Sequence, residues 1–137
     1  MLKIGVLVVG YMEDCPDIGT FTYRLKGFDT TPTDYYMRPF FIAAEKSYKR
    51  HKQYCIGSIP RHKVMMNYVE NIMEQHRKVP KFLFSFHSEL SHSDMNLIQG
   101  ADEDLKLFLK GLKSSGALDN TVLIVMSDHG SRFSAIR

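Results

Sequence analysis

Near the end of the chain, Ser127-Asp128-His129-Gly130 sets a carboxylate beside an imidazole. An aspartate oxygen and a histidine nitrogen are donor types that zinc and similar divalent cations take from proteins. Gly130 permits a sharp turn directly after them. The pair also suits an ordinary surface turn. What favours the ligand reading is its place behind the apolar run at residues 121–126 (TVLIVM), whose branched side chains predict a strand covered on both faces. In open α/β sheets, ligands collect outside the carboxyl ends of the strands, where loops diverge and helix N-termini point their amides outward.

A second chemical group follows another strand-like run, residues 81–87 (KFLFSFH). His87-Ser88-Glu89-Leu90-Ser91-His92-Ser93-Asp94 is dense in side chains that bind metals or move protons. Ser93 or Asp94 is expected to cap a short turn through Met95 to Ile98. His92 is then the chemical residue of the group, and His87 a strand-end histidine satisfied by a neighbour. Behind the first run, residues 3–9 (KIGVLVV), the acidic stretch from Gly10 to Asp17 reads as an ordinary turn in preference to a cation-binding loop. Arg132 and Arg137 lie just past the Asp-His pair, where a guanidinium either holds a sulfate or phosphate ester bidentately or faces solvent. His51, His62 and His76 fall in basic helical stretches and read as solvated.

The elements that must position these residues follow from periodicity. Residues 38–50 predict a helix with Phe40, Ala43, Ala44, Ser47 and Tyr48 on one stripe and Pro39 in its first turn. In residues 62–78, Met65, Tyr68, Val69, Ile72 and Met73 recur at helical spacing, and Pro80 blocks continuation. A third helix opens on Asp102, Glu103 and Asp104, buries Leu105, Phe108, Leu109 and Leu112, and ends at Lys113 before a capping Gly116. Strand, helix, helix, strand, helix, strand is the order of an α/β layered domain with a mostly parallel sheet. Residues 10–34 lack periodicity, and loops that long in a compact domain are functional or belong to something larger.

Bulk properties narrow the class. The 137 residues suffice for one domain and not for two. Hydrophobic content of 44% and charged content of 24% are those of a globular protein, which excludes disordered and fibrous classes. The net charge of +3 sits on helical stretches without aromatic interleaving, so no nucleic-acid partner is implied. No segment is long and apolar enough to span a membrane, and the run at residues 4–9 is shorter than a signal peptide core. Cys15 and Cys55 permit one disulfide but form no metal-binding spacing.

Several strings, taken in order, resemble one family: Gly10-Tyr11 with Glu13-Asp14-Cys15-Pro16, Gly19-Thr20-Phe21, Gly27-Phe28, Pro32-Thr33-Asp34-Tyr35-Tyr36 with Arg38-Pro39-Phe40, Ser91-His92, and Asn120-Thr121 leading to Ser127-Asp128-His129-Gly130. They are similar to an uncharacterised animal family of sulfatase-like proteins, domain of unknown function 229, in the alkaline phosphatase superfamily. The resemblance implies a three-layer α/β/α sandwich in which Asp128 and His129 ligate a divalent metal, zinc first and calcium or manganese next. It also implies that His92 faces the substrate ester and that full-length relatives are secreted or membrane-anchored outside the cell.

The usual chemistry of that superfamily is hydrolysis of a sulfate or phosphate ester through a Ser, Thr or formylglycine nucleophile. This sequence has no Cys-x-Pro-x-Arg or equivalent, so the nucleophile is expected upstream of Met1 and the chain is expected to be a partial domain, silent by itself. The alternative is a non-catalytic extracellular or membrane-anchored binding protein of the same fold.

Overall fold

Alternation with a period of two organises the first element. Val8, Gly10 and Met12 point to one face and Val9, Tyr11 and Glu13 to the other, forming strand β1 (Val8–Glu13). The computed structural model describes residues 6–47 and 54–130. Within them, β1 is the middle of a three-stranded parallel sheet, flanked by the short β2 (Tyr35–Tyr36) and by β5 (Lys81–Phe86). Val8 lies opposite Lys81 and Glu13 opposite Phe86, an unbroken six-residue register. A Cβ on Gly10 would stand 2.8 Å from Leu83 Cδ2, so only glycine lets the two strands pack here without displacing that leucine.

The strand expected at residues 3–9 therefore runs later, over Val8–Glu13. Residues 1–5 lie outside the described set, and Gly10 to Glu13, expected to open a loop, continue the strand, all four buried and each paired with a residue of β5.

Helix α1 (Arg38–Ser47) follows β2 directly, Pro39 occupying its first turn as expected. Its inward stripe is Phe41 and Ala44, not Phe40 and Ala43, which face solvent. Tyr48 falls outside the described residues. A two-residue hairpin of β3 (Cys55–Ile56) and β4 (Ile59–Pro60), with Gly57 at φ 64°, leads into α2 (Arg61–Gln75). Met65, Ile72 and Met73 are buried on α2, and Pro80 precedes β5. The core joins Val8 and Met12 of β1 to Met37, Phe41, Met65 and Ile72, so one face of the sheet packs against α1 and α2. The other face carries a row of stacked rings, Tyr36, Tyr11 and Phe84, with 5.7 Å between neighbouring centroids.

The chain divides into two compact units, Met1–Ser88 and Glu89–Arg137. In the second, Asp94 caps a 3₁₀ turn (Met95–Ala101) by accepting from the Asn96 amide at 2.8 Å, the role expected of it. Helix α3 (Asp102–Ser114) follows with its three acidic residues in the first turn. Gly116 sits at φ 74°, its amide donates to Lys113 O, and the Ala117 amide donates to Leu112 O, a Schellman closure. Leu112 is fully buried, with Leu105, Phe108 and Leu109 beside it half-buried.

One expected strand is absent. Residues 121–126 form no strand among the described residues, and Val122 and Met126 are 88% and 78% exposed. An apolar run expresses a preference for burial, but a strand also needs neighbours for its N–H and C=O groups, and none of the described residues pairs with this one. The architecture is α/β with a small parallel sheet.

Candidate functional site

The buried charged and polar residues described here, Glu13, Asp14, Arg61, His62 and Ser88, gather at one place: the carboxyl ends of β1 and β5 and the start of α2. Parallel pairing puts these strand ends side by side, and Glu13 lies opposite Phe86, so Asp14 and His87 emerge as neighbours. Asp14 is wholly buried. One carboxylate oxygen accepts from the Ser88 amide at 2.8 Å, and the other lies 3.1 Å from Nε2 of His87, whose side chain is 25% exposed. The pairing of β1 with β5 thus makes Asp14 the charged neighbour of the strand-end His87.

Arg61 holds the loop from the other side. Its Nη1 donates to the Asp14 carbonyl at 2.8 Å and to Glu45 Oε1 at 3.2 Å, while its Cζ stands 5.3 Å from the Phe41 ring centre. His62 is buried, not solvated, with its ring centre 6.1 Å from that of His87 in an edge-to-face arrangement. His76 also has a partner, lying 2.6 Å from the Tyr35 hydroxyl. His51 lies outside the described residues.

Glu13 braces the following loop. Its Oε1 accepts from both the amide and the hydroxyl of Thr20, at 2.7 and 2.6 Å. A Cβ on Gly19 would come within 2.4 Å of Glu13 Oε2, so the carboxylate and the glycine require each other. The acidic stretch is therefore not an ordinary turn: Glu13 and Asp14 are structural acceptors at a strand end. The neighbouring Tyr11 hydroxyl titrates far above its usual value, through burial first and the Glu13 carboxylate second.

Asp128 and His129 stand in the second unit, both exposed and behind a segment that forms no strand among the described residues. Asp128 Oδ2 lies 3.5 Å from His129 Nε2, Asp128 Oδ1 accepts from the His129 amide at 3.0 Å, and His129 Nδ1 lies 2.6 Å from the Gly130 carbonyl. His92 is exposed, with Nδ1 3.4 Å from the Ser93 hydroxyl. Arg132 and Arg137 lie outside the described residues. Donor type fits a divalent cation, but no group of three His, Cys, Asp or Glu able to enclose one occurs among the described residues. The pair matches one side of a metal site and not a complete one. Cys15 and Cys55 are not joined in a disulfide.

The model of one family, described as protein of unknown function (DUF229), matches residues 8–137, from the first residue of β1 through the Asp-His pair. The chain belongs to the DUF229 family. No curated protein and no solved structure matches it.

In this DUF229 chain, sequence reasoning located the Asp-His pair and the Asp94 cap but passed over Asp14, Arg61 and His62. One signal for them was available: the alternation of β1 continues through Met12 and Glu13, which puts Asp14, not Gly10, at the strand end. No helix of the described residues is long and apolar enough to cross a membrane.

Proposed function

We propose that this chain supplies Asp128 and His129 to a divalent-metal site in a sulfate or phosphate ester hydrolase-like protein of the DUF229 family. The observation that carries the reading is the pair itself, two solvent-facing donors of zinc-binding type on adjacent residues, 3.5 Å apart. The small parallel sheet with α1 and α2 on one face is compatible with part of a three-layer α/β/α sandwich. A divalent cation at such a site, zinc foremost and calcium or manganese next, lowers the pKa of a bound hydroxyl and neutralises ester oxygens. In this proposal Asp128 and His129 hold the cation, His92 faces the substrate and Arg132 binds its anionic oxygens. The protein then works outside the cell, secreted or membrane-anchored.

Two donors bind a cation weakly, and the nucleophile is not among the described residues. The isolated chain is therefore expected to bind zinc weakly and to leave aryl sulfate and aryl phosphate esters intact. Isothermal titration with zinc checks the first point, with the heat of binding disappearing in Asp128→Ala and His129→Ala. Binding that both variants retain refutes the assignment. Ester turnover by the wild-type chain that is abolished by Asp128→Ala would refute the silence and establish an enzyme.

The second reading is a binding protein of the same fold without turnover; among the described residues no third donor joins the pair. The full transcript decides between the two: an Asp followed closely by Ser, Thr or Cys at a strand end selects the hydrolase.

A further inference from the structure

A groove of about 280 Å³ opens between α1, α2 and β4, all within the first compact unit. Its aromatic walls are Tyr36, Phe40 and Tyr68, and its aliphatic lining is Met37, Ile59 and Val64. Each ring is braced by one that does not line the groove: Phe40 by Phe41 at 5.3 Å, Tyr36 by Tyr11 at 5.7 Å and Tyr68 by Tyr35 at 6.1 Å between centroids. Such packing fixes the walls before anything binds. It also gives Phe40 a purpose, since α1 turns Phe41 into the core and leaves Phe40, 45% exposed, to line the groove.

We propose that this groove binds a small, uncharged molecule of two fused aromatic rings that carries one hydrogen-bonding group. Volume sets the size: a dry cavity of about 150 Å³ lined by Leu, Ile and Phe takes benzene, so nearly twice that volume suits a second ring. The lining sets the charge. None of its eight residues is charged at neutral pH, and burial raises the ionisation of the Tyr36 and Tyr68 hydroxyls, so both stay neutral. A charged ligand would lose its water there without gaining a counter-charge. Asn67 and Asn71, exposed one turn apart on α2, present carboxamides that donate or accept, which matches a hydroxyl or amide on the ligand. A protein partner is the poorer fit, because a stable interface buries about 800 Å² on each side, far more than eight residues around a groove supply.

The test is titration of the full chain with 2-naphthol at neutral pH, read by calorimetry and by the side-chain amide resonances of Asn67 and Asn71. Those resonances should shift, with a dissociation constant below about 1 mM. Phe40→Ala removes a wall and should weaken binding about ten-fold. Phe82→Ala, which removes an exposed ring of β5 outside the groove, should leave it unchanged. 2-Naphthoate, the same rings with a charge, should bind at least about ten-fold more weakly. Equal binding of 2-naphthol and 2-naphthoate, or equal binding by wild type and Phe40→Ala, overturns the proposal. Failure of 2-naphthol to bind overturns it too; if N-acetyltryptophanamide, or a second copy at high protein concentration, then shifts the same resonances, the groove receives a protein side chain instead. The naphthoate comparison uses the wild-type chain and stands whatever Phe40→Ala does to folding.

Discussion

Tyr11 shows at single-residue scale what burial does to a titrating group. Its hydroxyl ionises far above the ordinary value of 10.0 because burial and then the Glu13 carboxylate penalise the phenolate, and burial raises Tyr36 and Tyr68 as well. A raised folded-state value means that the neutral form is preferred in the fold. The associated stability is complete below the unfolded value near 10.0 and is lost as pH climbs toward the raised folded one. Urea midpoints should therefore drop above about pH 10, and Tyr11→Phe should flatten that drop. Equal slopes in the two proteins would show that Tyr11 does not titrate in this way. Individual roles were legible where they depend on sequence neighbours: Asp94 caps two residues ahead of itself, and Gly116 closes the helix it follows. Asp14 was not, because its partners, His87 and Ser88, reach it only through the pairing of β1 with β5.

Among elements, α1 separates pattern from packing. Phe40 and Phe41 are adjacent rings with centres 5.3 Å apart, but Phe41 is fully buried and Phe40 is 45% exposed. Phe41→Ala should cost about 3–5 kcal/mol of unfolding free energy and Phe40→Ala under about 1 kcal/mol, measured by denaturant unfolding. Similar losses for both would misplace the helix face. The sequence indicates a helix here but leaves its rotation open, since Phe40-Phe41 and Ala43-Ala44 offer two stripes a single residue apart; Met37 and Met65 in the core select the second. Helices α2 and α3, with unambiguous stripes and stop signals, appear close to where periodicity puts them. The run at residues 121–126 failed as a strand for the opposite reason, a clear local preference without a partner among the described residues.

For the whole molecule, that run is an exposed aliphatic segment of high β propensity, the kind that seeks backbone partners on other chains. The protein should associate as its concentration rises. Ile124→Lys should reduce light scattering without moving the thermal unfolding midpoint, because Ile124 is 71% exposed. Scattering unchanged by the lysine would place the sticky surface elsewhere. A different consequence attaches to the β1–β5 register, in which Val8 meets Lys81 only after both α1 and α2 have been made. During synthesis β1 leaves the ribosome without its long partner and waits through two helices before β5 appears. Closing that distance is entropically costly and slow, so α1 and α2 should form first and the sheet should set the rate of folding.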